Sequence, residues 1–247
     1  MDALTSLAAS GMRSRIESLD LLANNIANGS APGFKADREF YNLYMSAEAA
    51  ESPDGTNPPT LPVIERQWTD FTQGTITPTH NPLDLALNGT GFFVTASGSE
   101  NLYTRNGSFR ISSAGRLETS DGHAVLDRNE KPIPLDPARP VEIGPDGVIQ
   151  QDGSQVAQIA VVNFSDPSLL MKRGSAYFAV DLSQSSPNPA ADTEVQQGKL
   201  EAANSQPAES AVRLVNVMRQ FESLQKAMAI GAEMNRRTVE EVAKVSS

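Results

Sequence analysis

Residues 22–36 read LANNIANGSAPGFKA. Three asparagines, Asn24, Asn25 and Asn28, crowd the end of an apolar helical pattern and run into Gly29, Pro32 and Gly33. Asparagine is a poor helix-interior residue because its amide competes for backbone hydrogen bonds. Helix termination explains part of the run: Asn28 tolerates the left-handed conformation, Gly29 adopts it freely, and Pro32-Gly33 makes a turn. Asn24 and Asn25 lie inside the pattern, where a stop signal explains nothing. A helix–helix seam explains them better, since a buried amide there fixes register and partner number.

The flanking sequence supplies such a seam. Leu4, Ala8, Met12, Ile16, Leu19, Leu22 and Ile26 recur at steps of three or four behind Asp2, a residue suited to cap the helix. One narrow stripe of this kind is coiled-coil-like; a helix lying on a globular core shows a wider face. At the far end Pro207 opens a second helix, with Glu209 near the positive end of its dipole. Leu214, Met218, Phe221, Leu224 and Met228 make a second narrow stripe, which weakens at Asn235 and resumes at Val239 and Val242. Running to Lys244, that helix is about 57 Å long at ~1.5 Å per residue. Only the N-terminal helix, or copies of both helices in neighbours, can cover such a length. The chain therefore reads as a subunit whose termini assemble.

Between the ends the pattern changes. Residues 46–62 are rich in proline, alanine and acidic groups and read as an extended arm. From about Trp68 to Val180 short β-rich runs alternate with Asn88-Gly89, Asn106-Gly107, Asp121-Gly122, Asp146-Gly147 and Asp152-Gly153. Such dipeptides between alternating runs signal hairpins. The expected fold is mainly β with terminal α-helices: an all-β central domain between N- and C-terminal helices that pair in a coiled-coil-like bundle. Its boundaries are an assembly helix and turn at 1–34, an arm at 35–67, the β domain at 68–182, a linker at 183–206 and a second assembly helix at 207–247.

Composition narrows the function. A net charge of −10 with no basic block argues against nucleic acid or an anionic membrane surface as partner. The chain has no cysteine, which excludes disulfides and thiolate metal sites and suits work outside the cytosol. No apolar run approaches the roughly 18 residues of a membrane span. The N-terminus lacks a signal-peptide plan, so if the protein leaves the cytosol it is expected to do so without a cleaved signal.

His80, in a proline-bounded loop, and His123, after an Asp-Gly turn, read as surface turn residues. There is no G-x-S-x-G, no calcium loop, and Gly89-Thr90-Gly91 lacks the helix a phosphate loop requires. Two acidic residues could still meet in space, yet no cleft motif accompanies them. No enzyme and no cofactor are expected.

Several stretches resemble one family, the bacterial flagellar rod and hook proteins. LAASGMRSRIESLDLLANNIANGSAPGFKA is similar to its N-terminal signature. DFTQGTITPTHNPLDLALNGTGFFVT, YTRNGSFRISSAGRLETSDGHAVL and GKLEAANSQPAESAVRLVNVMRQFESLQKAM resemble its central and C-terminal motifs, in order. Arg219-Gln220-Phe221-Glu222 is more like the proximal-rod than the distal-rod protein, whereas Gly29-Ser30 and Ala203-Asn204-Ser205-Gln206-Pro207 depart from the usual pattern.

The resemblance implies a structural, non-enzymatic subunit. It would leave the cytosol through the flagellar type III export apparatus and polymerise in the periplasmic rod with copies of itself and other rod and hook-family subunits. Asn24, Asn25, Asn28 and Phe34 would then join both stripes at subunit interfaces. The competing class is a secreted β-rich adhesion or binding module whose helices form only a stalk.

Overall fold

A computed structural model describes residues 3–44, 61–98, 100–181, 183 and 185–245. It divides the chain into two compact units. The helical unit comprises Met1–Ala27, Asp37–Trp68 and Gln206–Ser247; the β unit comprises Asn28–Ala36 and Thr69–Ser205.

In the helical unit, α1 spans Ala3–Asn28 and α2 spans Pro207–Val245. Proline stands at the start of α2 because its missing N–H is one the first turn leaves unbonded anyway, and Glu209 lies in that turn. Asp2 lies outside the described residues. The segment expected as an extended arm carries two strands, Asp37–Tyr44 and Leu61–Thr69, paired as a two-stranded sheet. The sequence Asp-Arg-Glu-Phe-Tyr-Asn-Leu-Tyr has the aromatic content strands favour, and the acidic, proline-rich residues between the strands masked that signal.

The helix stop differs in detail from expectation. Neither Asn28 nor Gly29 is left-handed. The Asn28 carbonyl accepts from Ala31 N–H at 2.9 Å, and the left-handed residue is Gly33, at φ 67°. A side chain at Gly33 would collide with the Arg105 carbonyl carbon, 2.3 Å from where its Cβ would lie. Close packing of two backbones sets this glycine.

The β unit is built on antiparallel pairing around one path of strands. In spatial order these are Met171–Arg173, Tyr177–Ala179, Glu100–Thr104, Phe92–Ser97, Ala124–Val125, Leu117–Thr119 and Phe109–Ile111. Alternation within Phe92–Ser97 sends successive residues to opposite faces. Phe93 joins a core with Leu85, Leu87, Phe109, Leu117, Ile133, Ile149 and Ile159. Phe92 and Val94 join a second core with Tyr103, Phe164 and Phe178, whose rings meet edge to face. Asn106-Gly107, expected as a hairpin turn, serves a different purpose. Gly107 accepts from Leu85 N–H at 3.0 Å, and a Cβ there would lie 1.8 Å from the Leu85 oxygen.

The expected linker at 183–206 also contains strands: Asn188–Pro189, Glu194–Gln197 and Lys199–Glu201. Glu194–Gln197 pairs with Leu85–Asn88, and Val195 is buried in the first core. Lys199–Glu201 pairs with Ile76–Pro78. Polar residues dominate these strands because each is short and half-exposed, so composition alone resembles a linker. The β unit thus runs on to Ser205 and includes Asn28–Ala36.

Candidate functional site

Successive residues of an α-helix are rotated by about 100°, so burial along α1 picks out faces. Gly11, Ser14, Ser18, Leu21, Leu22 and Asn25 are buried and share one side. This side is mostly small and polar. At Gly11 a Cβ would stand 3.4 Å from Leu224 Cδ1, so a leucine of α2 rests on almost bare α1 backbone. Ser18 Oγ donates to Glu39 Oε2 at 2.7 Å. Asn25 Nδ2 donates to the Asp37 carbonyl at 2.8 Å, and its Oδ1 accepts from Asp37 N–H at 3.0 Å. The Asn25 amide therefore meets both backbone groups of one residue, as a neighbouring strand would. Ser14 Oγ is buried without a hydrogen-bond partner among the described residues.

The stripe read from the sequence lies mainly on the neighbouring side. Met12, Leu19 and Ile26 are half-buried, and Ile16 is 48% exposed. Leu22 is shared between the two sides and buried; the side chains of Leu4 and Ala8 lie outside the described residues. The asparagines separate as well. Asn25 is buried, Asn28 half-buried and Asn24 exposed. Phe34 is wholly buried within the β unit, with the Lys172 ammonium 4.6 Å from its ring centre.

In α2 the more buried positions are Ser210, Leu214, Val217, Phe221, Leu224, Met228 and Gly231, at alternating steps of four and three. That is the period of a coiled-coil seam. Four of the five residues read from the sequence lie on it. The fifth, Met218, is 47% exposed, and Val217 occupies the seam in its place. The two phases differ by one residue: the stripe read from the sequence follows the larger methionine, and the buried line follows Val217. Val212, Val215, Ile230 and Met234 are exposed away from the seam.

A second constellation lies where the chain enters and leaves the β unit. Asp70 N–H donates to the Ala36 carbonyl at 2.8 Å, and Ala36 N–H donates to Asn204 Oδ1 at 2.7 Å. Asn204 Nδ2 closes the triangle by donating to the Asp70 carbonyl at 2.6 Å. Beneath it Lys35 Nζ donates to Glu201 Oε1 at 2.6 Å and to the Thr72 carbonyl at 2.7 Å. Gly74 N–H donates to the same carboxylate oxygen at 2.8 Å, and Arg105 Nη1 stands 3.5 Å from the other.

Lys35, Arg105 and Glu201 are all buried, and Arg105 also donates to the carbonyls of Leu87 and Gly89. Burial holds the Lys35 ammonium below the ordinary lysine range although Glu201 opposes the shift, and the same balance lowers Arg105. Lys172 Nζ donates to the Lys35 carbonyl at 2.6 Å. This clasp joins segments of the β unit that are far apart in the chain. The sequence reading missed it, because Lys35, Arg105, Glu201 and Asn204 are far apart in the chain and each is unremarkable alone.

His80 lies in the left-handed region at φ 63°, and the His123 ring packs edge-on to Tyr177 at 5.0 Å. Among the described residues no group of three or more histidines and carboxylates is arranged to hold a metal, and no helix is long and apolar enough to cross a membrane.

These features sit in a chain with clear relatives. Residues 86–151 match the flagellar hook protein FlgE/F/G D1 domain, and residues 196–241 match the flagellar basal body rod FlgEFG protein C-terminal domain. A flagellar basal-body rod protein FlgF of Caulobacter vibrioides is 37% identical, across 92% of this chain and 93% of its own length. A FlgF of Mesorhizobium japonicum is 28% identical across 83% of each chain. A FlgG of Caulobacter vibrioides is 30% identical across 92% of this chain and 94% of its own. With its β domain, its terminal helices and relatives matched over nearly their whole lengths, the chain belongs to the bacterial flagellar basal-body rod protein family and is most like its FlgF and FlgG members.

Proposed function

We propose that this protein is a structural subunit of the flagellar rod, polymerising through α1 and α2 with copies of itself and other rod and hook-family subunits to carry torque from motor to hook. One observation carries the reading: α1 turns a small, polar side to its own chain and leaves Met12, Ile16, Leu19 and Ile26 half-buried or exposed. Burying an aliphatic side chain contributes roughly 1.5–3 kcal/mol, so four of them form a substantial contact once a neighbour's helix covers them. The exposed residues of α2 offer a second such side. The helices would pair along the Gly11–Leu224 line in a coiled-coil-like bundle, with Asn25 fixing the register of α1.

Passage through the type III export apparatus without a cleaved signal, and residence in the periplasmic rod, belong to the same proposal, with family membership as their support. Phe34 is left out of the interface because the β unit already covers it. The adhesion-module reading has less support, since the relatives above carry rod-protein names.

The test is Leu19→Asp in cells that lack the natural copy. The variant should be exported and keep its β-unit melting transition, yet be missing from purified basal bodies, and the cells should not swim. Normal swimming with the variant present in basal bodies refutes the interface.

A further inference from the structure

In the β unit a hollow of about 260 Å³ opens beside the second core. Val94, Tyr103, Ala160 and Pro189 line it, and Asp127, Arg128 and Glu130 are at its margin. Tyr103 is 3% exposed and stacks edge-on to Phe164 at 4.8 Å, but its hydroxyl has no hydrogen-bond partner among the described residues. Glu130 holds a left-handed conformation, at φ 59°, that non-glycine residues rarely adopt. Its turn is locked by Asp127 Oδ1, which accepts from the backbone of Asn129 and Lys131 at 2.8 Å each. Neither Glu130 nor Arg173 makes an ion pair among the described residues.

The same unit carries a feature that matches this hollow. Its two exposed large apolar side chains among the described residues are Val156 and Met171, the latter 54% exposed. Met171 opens the edge strand Met171–Arg173, and Arg173 shares its face. Register places both on the far side of the sheet from the hollow: Met171 and Arg173 oppose Ala179 and Tyr177, whereas Tyr103 opposes Phe178. A chain's own Met171 therefore cannot enter its own hollow.

We propose that the Tyr103 hollow receives Met171 from the β unit of a second copy of this chain, with Arg173 of that copy paired to Glu130. A thioether suits the site. It is flexible enough to fill an irregular gap, favours aromatic rings, and accepts weakly from a hydroxyl such as that of Tyr103. Knob and hollow are different patches, so the contact is head-to-tail and open-ended, as a filament or tube requires. The inference rests on the rod-subunit reading above and adds a contact outside the helices.

The natural chain has no cysteine, so engineered thiols give an unambiguous test. Full-length chains carrying Met171→Cys or Asn101→Cys, a half-buried residue lining the hollow, are co-expressed, and basal bodies are oxidised and resolved under denaturing conditions. A disulfide-linked dimer is expected from the mixture, at least tenfold above either variant alone. Arg173→Glu should abolish it, and Glu130→Arg on the other chain should restore it. Basal bodies that contain both chains without the cross-link overturn this contact and leave the helical assembly intact. Cross-linking of Asn101→Cys to a different protein overturns it too. Absence of the chain from basal bodies removes the rod-subunit reading and this contact together.

Discussion

The two units place their apolar and polar groups in opposite ways. Among the described residues the helical unit holds seven exposed large apolar side chains, Ile16, Trp68, Val212, Val215, Met218, Ile230 and Met234, and buries serine and asparagine on the inner side of α1. The described residues of the β unit expose two and bury a lysine, an arginine and a glutamate beside two apolar cores. The β unit buries its cores within its own chain, and the helical unit carries most of the exposed apolar surface. A rod subunit of the kind proposed above has use for both, a rigid body and ends that assembly would finish.

That contrast breaks most severely if the β unit is cut where composition suggests. A fragment spanning 68–182 loses Val195 from the first core, the partners of strands Leu85–Asn88 and Ile76–Pro78, and both Lys35 and Glu201. It also leaves the buried Arg105 without its carboxylate. The fragment should lack a cooperative thermal transition, whereas one spanning 28–205 should retain it. A sharp transition in the shorter piece would show that the clasp is dispensable.

Within the intact chain the clasp should be the most sensitive point. Lys35→Met leaves Glu201 buried with Arg105 at 3.5 Å as its remaining cation, and breaking a buried ion pair from one side costs about 3–5 kcal/mol. The loss should appear as a lower midpoint of β-unit denaturation in urea. Adding Glu201→Leu should recover little, because Arg105 then becomes the unpaired charge. A loss below about 1 kcal/mol for Lys35→Met would place the pair with surface bridges of small worth.

In the helical unit the informative comparison is between neighbours. Val217 is 8% exposed and Met218 47%. Val217→Asp puts a carboxylate onto the buried line of α2, where an unpaired charge is costly, and should lower the helicity of the purified monomer. Met218→Asp should leave the monomer within about 0.5 kcal/mol of the natural chain, as surface changes do. Equal effects would mean that the inner line of α2 does not run through Val217.

Much of this organisation was legible in the sequence. The helices, the β-rich middle and the family emerged from periodicity, turn dipeptides and ordered motifs. What stayed hidden depends on contacts between distant residues. Lys35 and Glu201 are 166 positions apart, and nothing local marks either as a partner. The inner side of α1 escaped for a different reason: hydrophobic periodicity finds leucines and isoleucines, whereas Gly11, Ser14 and Ser18 pack through their smallness. The strand at Glu194–Gln197 was hidden because polar residues surround its one core residue, Val195.

The smallest expected effect uses the same substitution in both units. At Gly107 a Cβ would meet the Leu85 oxygen at 1.8 Å, a collision with backbone that a β-sheet cannot relieve without parting strands, so Gly107→Ala should strongly destabilise the β unit. At Gly11 the nearest neighbour is the end of the Leu224 side chain at 3.4 Å, which a small rotation relieves. Alanine is favoured over glycine in a helix interior by about 0.8–1 kcal/mol. Gly11→Ala should therefore leave the helical unit unchanged or stabilise it by less than that, read as a slight rise in helicity and protection from hydrogen exchange. A loss above about 1 kcal/mol would mean that Leu224 cannot yield, and that α1 and α2 are already packed in the single chain as tightly as the β core.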